Sequence, residues 1–279
     1  MCIRDRSYRR DAIWKFRTIT SSKRCLPDFI VIGSQKSGTT SLFKYLCQHP
    51  QLIPAYNKKE VHFFDGGTDP NIDNYKKGTS WYRAHFPLRK DMTLDEQAFE
   101  ASPLYIFNPL ACERIASLIP EVKLIALLRN PTERAISHYF HEKKNGMEPL
   151  GIREALDAED DRLRHSIKQK NFKSNEFIHY AYKSRGMYKE QLDRFLKLFP
   201  LNQLLVLSSE DFFCDTTFCL ERIFNFLGVE QDCEVGDLTP INVGSNKFSP
   251  ESDIYQYLDD YYSLHNQALY DLLGDNFGW

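Results

Sequence analysis

Short apolar runs alternate with helical patterns along most of the chain. Five runs predict strands, over residues 29–32, 52–54, 99–103, 122–128 and 204–207. Apolar residues at helical spacing predict helices over residues 41–47, 109–119, 132–144, 152–164 and 251–273, with others near 81–87, after Gly186 and up to Leu227. Strands that alternate with helices favour an α/β fold, a three-layer sandwich with a central parallel sheet.

The same pattern predicts a single domain, because it shows no repeat, no low-complexity segment and no linker. We assign residues 27–279 to this domain and residues 1–26, which are largely basic and polar, to an N-terminal arm. The first six residues (MCIRDR) look unrelated to the rest of the chain, so we leave them out of the predicted fold as a candidate artefact. The arm has no apolar signal-peptide core.

The composition excludes several classes of protein. Of the 279 residues, 42% are hydrophobic and 27% charged, as in ordinary globular proteins. The net charge of −2 argues against a general nucleic-acid binder, which is usually basic. No apolar run approaches the ~18 residues of a membrane span. We therefore expect a cytoplasmic protein with no nucleic-acid partner and no membrane span.

The cysteines predict neither a disulfide framework nor a metal site. They are scattered, at positions 2, 25, 47, 112, 214, 219 and 233, and form no C-x-x-C pair and no Cys/His cluster at zinc spacing. This pattern favours reduced, mostly buried thiols in a reducing compartment. The pattern does not exclude a single disulfide bond, for example one that includes Cys233.

The first strand leads into a glycine-rich segment, PDFIVIGSQKSGTT, that ends at Thr40. We call residues 33–40 the glycine turn. A strand, a glycine-rich turn and a helix start form the usual phosphate site of an α/β sheet, because backbone N–H groups and the helix dipole both favour an anion. Gly33 and Gly38 have the spacing of the nucleotide P-loop, but Thr39 stands where that motif has lysine, and the lysine of this turn is Lys36. The turn therefore suits a nucleotide with a different group on its 5′-phosphate better than a triphosphate.

Two further segments carry candidate chemistry. KKEVHFFD, residues 58–65, places lysines, a carboxylate and a histidine after the second strand. Arg129 ends the strongest strand and precedes a helix that contains Ser137. A set of basic residues could form a rim that binds an anionic saccharide: Lys58, Lys59, Lys76, Lys77 and Arg83. A set of aromatic residues could stack on sugar rings: Trp81, Tyr82 and Tyr105.

Four separated motifs together resemble the PAPS-dependent sulfotransferases (PAPS is 3′-phosphoadenosine 5′-phosphosulfate). They are GSQKSGTT, KKEVHFF, LLRNPTERAISHY and LHNQALYDLLGDNFGW. The resemblance spans residues 27–279 and is strongest to the carbohydrate branch, which includes the heparan sulfate sulfotransferases and free-standing bacterial domains. It implies transfer of a sulfonate group from PAPS to a hydroxyl or amine, in line and without a metal.

The resemblance also implies the donor site. Lys36 would contact the bridging or sulfonate oxygens, and Arg129 and Ser137 would hold the 3′-phosphate, which an arginine fork and a hydroxyl suit. Lys247, in a Gly/Ser/Asn/Lys loop, would add a further contact. The residues that would wrap the 5′-phosphosulfate are Ser34, Gln35, Lys36, Ser37, Gly38, Thr39 and Thr40.

For the catalytic base, the resemblance favours Glu60, which would deprotonate the acceptor as it attacks sulfur. His62 is the competing base, since other sulfotransferases use histidine. The heparan sulfate enzymes carry a lysine where this chain has Ala101, so a carbohydrate acceptor and a small-molecule acceptor both stay open. The alternatives to a sulfotransferase are a P-loop kinase or NTPase and a non-catalytic nucleotide-binding module. Because eukaryotic relatives are Golgi proteins, the Golgi lumen is the alternative location.

Overall fold

The structure is a computed structural model that describes residues 3–231, 233, 235–241 and 250–279, with the backbone alone for residues 3–10. Its strands are β1 (Phe29–Gly33), β2 (Leu52–Pro54), β3 (Gln97–Ala101), β4 (Lys123–Leu128) and β5 (Leu204–Ser208). They form one sheet in the order β2-β3-β1-β4-β5, and every neighbouring pair is parallel. All five predicted strands are thus confirmed.

Helices connect the strands and cover the sheet. The first six are α1 (Ile3–Ile19), α2 (Thr39–Leu46), α3 (Gly78–Arg83), α4 (Pro109–Leu118), α5 (Pro131–Lys144) and α6 (Ile152–Asp157). The next six are α7 (Glu159–Lys168), α8 (Asn175–His179), α9 (Tyr188–Leu196), α10 (Ser209–Cys214), α11 (Thr216–Leu227) and α12 (Ser252–Leu273). Single 3₁₀ turns cover Ser21–Lys23, Tyr75–Lys77, Arg89–Asp91, Ser184–Gly186 and Leu201–Gln203.

Side chains of the central strands point alternately into two hydrophobic cores, one on each face of the sheet. In β1, Ile30 and Ile32 join the core that also contains Leu124, while Phe29 and Val31 join the core on the other face. Both faces of a parallel sheet must be covered in this way, since its strands are apolar on both sides. The predicted three-layer α/β sandwich is confirmed.

Two local predictions differ from the structure. The residues left out at the N-terminus include Ile3–Arg6, which begin α1, and Arg17 later in that helix donates to the carbonyl oxygens of Ala84 and Phe86 at 2.6 and 2.8 Å. The single helix predicted over residues 152–164 is two helices, α6 and α7. Glu159, the first residue of α7, is buried and accepts from the backbone N–H groups of Lys183 and Ser184.

The six cysteines within the described residues are all unpaired: Cys25, Cys112 and Cys219 are buried, Cys47 and Cys214 exposed, and Cys233 half-buried. Among the described helices, none is both long and apolar enough to cross a membrane.

Candidate active site

Parallel strands end at the same edge of the sheet, and this edge carries the site. Gly33, Ala101, Leu128 and Ser208 close β1, β3, β4 and β5, so the segments after these strands meet there. The strand order reverses at β1, which lies between β3 and β4, and open α/β sheets bind ligands at such a point. The glycine turn therefore lies at the centre of the edge.

The glycine turn is held in a left-handed conformation at two positions. Lys36 and Gly38 have φ angles of 74° and 90°, and Gly38 caps the N-terminus of α2. A Cβ atom at Gly38 would lie only 2.6 Å from the Phe213 ring, so both the backbone conformation and the space require glycine. Ser34 and Ser37, which belong to the turn, are buried, and their Oγ atoms lie 2.5 Å apart. Turns of this kind at a helix N-terminus bind anions.

Two cations meet at the turn. Arg129, the residue after β4, donates from Nη1 to the carbonyl oxygen of Lys36 at 3.2 Å, and its Nη2 pairs with Glu133 at 3.2 Å. Burial lowers the pKa of Lys36, and the charge of Arg129 lowers it further. Both effects would be offset by a bound anion, because an anion stabilises the charged lysine. Ser137, two turns into α5, lines the same cavity as these cations.

Two adjoining cavities occupy the edge and share part of their walls. The larger, about 640 Å³, is lined by the apolar residues Phe213, Leu238 and Pro240 and also by Ser37 and Arg129. The smaller, about 330 Å³, contains Glu60. Residues common to both are Lys36, Gly38, Arg129 and Ile241. Other residues of the smaller cavity are Gln35, Thr39, Thr40, Lys59, His62, Thr68, Ser137 and His141.

Glu60 is the centre of a chain of charged groups. Its Oε1 lies 3.1 Å from Lys59 Nζ, and its Oε2 lies 3.0 Å from His62 Nε2. The other nitrogen of His62, Nδ1, lies 2.6 Å from a carboxylate oxygen of Asp65. An imidazole between two carboxylates donates to both only when it is protonated.

The pKa values follow from this arrangement. Burial alone would lower the pKa of His62, but the carboxylates of Asp65 and Glu60 outweigh burial and raise it to about 10. Burial alone would raise the pKa of Glu60, but His62 and Lys59 hold it below its usual value. At neutral pH, His62 is therefore a cation that cannot accept a further proton, whereas Glu60 is an ionised carboxylate that can. Of the two candidate bases, the charges favour Glu60.

Lys59 has a larger place in the site than the sequence suggested, where it was only part of a basic rim. Its Nζ lies 3.2 Å from Thr39 Oγ1 and 3.1 Å from Thr40 Oγ1, at the start of α2. The P-loop motif has its lysine at the position of Thr39. In this chain the ammonium of Lys59, from another segment, lies beside that position. The adjacency of Lys59 to Glu60 was the only sequence signal for this contact.

Arg185 is a second residue that sequence reasoning missed. It is buried and donates to the side chain of Gln35 in the glycine turn, and to the carbonyl oxygens of Phe177 and Ile178. It thus supports the turn from behind. No motif marked it, because Gln35 lies far away in the sequence.

The sugar contacts predicted for two tyrosines do not form. Tyr82 and Tyr105 are fully buried and both donate to Glu100, so neither can stack on a sugar. Trp81 packs against Trp14 and His85. Arg83 of the predicted rim donates to the carbonyl oxygen of Arg24. Lys247 lies outside the described residues.

Fold and site together define an enzyme that transfers a group at a phosphate-binding turn. A family model described as a sulfotransferase domain matches residues 26–241. The chain therefore belongs to the sulfotransferase family, and it transfers sulfonate groups.

Individual proteins agree with this assignment. The chain is 28% identical to the membrane-associated sulfotransferase kil1 of Dictyostelium discoideum, over 91% of this chain and 67% of that one. It is 29% identical to human bifunctional heparan sulfate N-deacetylase/N-sulfotransferase 1, over 91% of this chain but only 30% of that one. A crystal structure of a sulfotransferase from Alicyclobacillus acidocaldarius superposes with a TM-score of 0.73 at 28% identity, over 91% of this chain and 98% of the other.

The chain thus spans about a third of the heparan sulfate relatives it matches. The predicted cytoplasmic location stays a prediction, since one relative is described as membrane-associated.

Proposed function

We propose that the donor of this sulfotransferase is PAPS and that its acceptor is a hydroxyl or amine of a carbohydrate. The observation that carries the proposal is a single cavity that contains both Lys36, on the glycine turn, and Glu60. A group transfer needs a cation where charge develops on the leaving oxygen and a base where the acceptor loses its proton, and this cavity offers both.

The residues fit the charges of PAPS. The 5′-phosphosulfate suits the glycine turn, because Lys36 and Lys59 flank the N-terminus of α2. Arg129 and Ser137 share the cavity wall and suit a 3′-phosphate, since a guanidinium offers two parallel N–H donors. The larger cavity has the apolar surfaces of Phe213 and Leu238 for a purine ring.

Each of these residues has a separate role in the proposed sulfonate transfer. Glu60 accepts the acceptor proton while the acceptor oxygen or nitrogen bonds to sulfur and the bond from sulfur to the phosphate oxygen breaks. Lys36 stabilises the negative charge left on that oxygen; removal of one such donor commonly costs ~10²–10³ in rate. His62, as a cation, keeps Glu60 ionised, and the Asp65 carboxylate holds the imidazole in place.

The carbohydrate acceptor is supported by the names of the heparan sulfate relatives and by exposed lysines in the segments before and after Glu60. These lysines are Lys58, Lys76 and Lys77, and the Lys77 ammonium lies 4.7 Å from the centre of the Trp81 ring. Exposed cations of this kind would attract an acidic saccharide. The heparan sulfate enzymes carry a lysine at the position of Ala101. The acceptor of this chain can therefore differ from theirs.

The first test is nucleotide binding by thermal shift, without added metal. We expect 3′-phosphoadenosine 5′-phosphate to stabilise the protein strongly and ADP to stabilise it weakly. Equal or better stabilisation by ATP with Mg²⁺ would replace the proposal with the kinase alternative. An acceptor screen with labelled PAPS comes next, comparing N-unsubstituted and N-acetylated glucosamine oligosaccharides with simple phenols and alcohols; label on the phenols alone would remove the carbohydrate acceptor.

A further inference from the structure

One lysine outside the catalytic groups is surrounded by main-chain oxygens. Lys173 Nζ lies 2.8 Å from the carbonyl oxygen of Gly66, 3.2 Å from that of Gly67, 2.7 Å from that of Asp69 and 2.5 Å from that of Ile72. We call these four oxygens the carbonyl cage. An ammonium has only three N–H groups, so four oxygens at these distances form a coordination shell around a charge.

The cage is built by a tight turn. Gly66 and Gly67 have φ angles of 82° and 96°, which favour glycine. A Cβ atom at Gly66 would lie 2.7 Å from Asp73 Oδ1 and 3.0 Å from Lys173 Cδ, so the turn has no room for a side chain. Burial lowers the pKa of Lys173, whereas the carboxylates of Asp73, Asp65 and Asp69 oppose this effect. The lysine itself comes from the connection between α7 and α8, far away in the sequence.

The cage is joined to the proposed acceptor side of the site. Gly67 donates its N–H to Asp65 Oδ1 at 2.9 Å, and Asp65 Oδ2 binds His62. Asn74 donates from its side chain to the carbonyl oxygen of His62 at 3.0 Å and from its N–H to that of Gly66 at 2.8 Å. Thr68, inside the same turn, lines the cavity that contains Glu60. The position of this turn therefore affects both the imidazole and the cavity wall.

We propose that Lys173 is a positioning residue that acts as a built-in monovalent cation: its ammonium fills the carbonyl cage and thereby holds the turn of residues 66–74 against the Glu60–His62–Asp65 chain. Carbonyl oxygens are the ligands that potassium takes in proteins, and an ammonium group is close to potassium in size and charge. The kinetic part of this inference rests on the proposed function, but the cage does not.

The inference predicts chemical rescue. In Lys173→Ala the cage stays and the ammonium is lost, so we expect kcat/KM for the acceptor to fall about 10- to 100-fold in choline chloride, the range for a misplaced group. KCl or NH₄Cl at the same ionic strength should restore most of the loss, and the affinity for 3′-phosphoadenosine 5′-phosphate should stay unchanged. Lys173→Met should show the same loss without rescue, because its apolar chain blocks the cage. Lys168→Ala, at an exposed lysine in α7, is the matched control.

A measurement without substrate separates the cage from the proposed function. The thermal midpoint of Lys173→Ala should rise in KCl relative to choline chloride, whereas the wild type and Lys173→Met should show no such difference. Equal midpoints of Lys173→Ala in both salts, or full activity of this variant in choline chloride, would overturn the inference. A potassium-specific rise together with no sulfated product from any saccharide would support the cage and reject the carbohydrate acceptor.

Discussion

His62 Nε2 lies 3.0 Å from Glu60 Oε2, and this pair joins a cationic imidazole to the carboxylate proposed as base. The histidine is held from its other side by Asp65 at 2.6 Å. The sequence offered Glu60 and His62 as alternative candidates for the catalytic base. The charges of the pair favour Glu60 as the base and His62 as the cation beside it. This pairing also makes the pH dependence of the enzyme a direct test of the site.

Removal of the proposed base should abolish most of the turnover and leave donor binding intact. For Glu60→Gln we expect kcat to fall about 10²- to 10⁴-fold, the usual contribution of a general base. The affinity for 3′-phosphoadenosine 5′-phosphate, measured by calorimetry, should change little. Glu113→Gln, at an exposed position of α4, is the control. Full turnover by Glu60→Gln would remove Glu60 from the mechanism.

Loss of the imidazole should move the acidic limb of the pH–rate profile. In the wild type, His62 and Lys59 hold the pKa of Glu60 below its ordinary value of 4.5, so the ionised base persists into acid. In His62→Gln the pKa of Glu60 should rise, and the acidic limb of kcat/KM should shift to higher pH. A variant with lower activity but an unshifted limb would show that His62 acts by packing alone.

The same histidine should make the stability difference between wild type and His62→Gln depend on pH. Because folding raises the pKa of His62 from 6.5 to about 10, its charged pairs stabilise the folded state fully below pH 6.5. This contribution falls as the pH rises through 10. Urea unfolding at several pH values should therefore give a free-energy difference that shrinks from neutral to alkaline pH. A constant difference would contradict the charged imidazole.

Arg129 should distinguish nucleotides by their 3′-phosphate. A charge-assisted hydrogen bond contributes about 1.5–3 kcal/mol, so Arg129→Ala should weaken binding of 3′-phosphoadenosine 5′-phosphate about 10- to 100-fold. Binding of ADP, which lacks that phosphate, should change much less. Arg164→Ala, at an exposed arginine of α7, serves as the control. An equal loss for both nucleotides would place Arg129 at the 5′ end instead.

A buried carboxylate should matter for stability. Glu100 is fully buried and accepts from Tyr82 Oη at 2.6 Å, from Ser102 Oγ at 2.6 Å and from the N–H of Val61 at 3.2 Å. In Glu100→Ala these donors lose their partner inside the core, at about 1–3 kcal/mol for each unsatisfied group. We expect the free energy of unfolding, measured by urea denaturation, to fall by roughly 2 kcal/mol or more on this basis. Glu121→Ala, at an exposed position, should change it by less than about 0.5 kcal/mol, as surface substitutions do.

The sequence determined the sheet and the turn at its centre. Strands such as Lys123–Leu128 are apolar almost throughout because a parallel sheet is buried on both faces, and that pattern can be seen without tertiary contacts. The glycine turn was equally visible, since Gly33 and Gly38 stand directly after the first strand at the spacing of the nucleotide P-loop. Local patterns of this kind act within one turn or strand, so the sequence alone specifies them.

Only the tertiary structure decided the charges of the site and the long-range contacts that hold its turns in place. His62 became a cation only because Asp65 and Glu60 lie on its two nitrogens in a buried place, and a pKa depends on surroundings that no motif states. Lys59, Arg185 and Lys173 reach partners 19 to 150 residues away, so their roles depend on which segments the fold brings together. The same fold buried Tyr82 and Tyr105, which the sequence had offered as sugar platforms, because burial is a property of the assembled core.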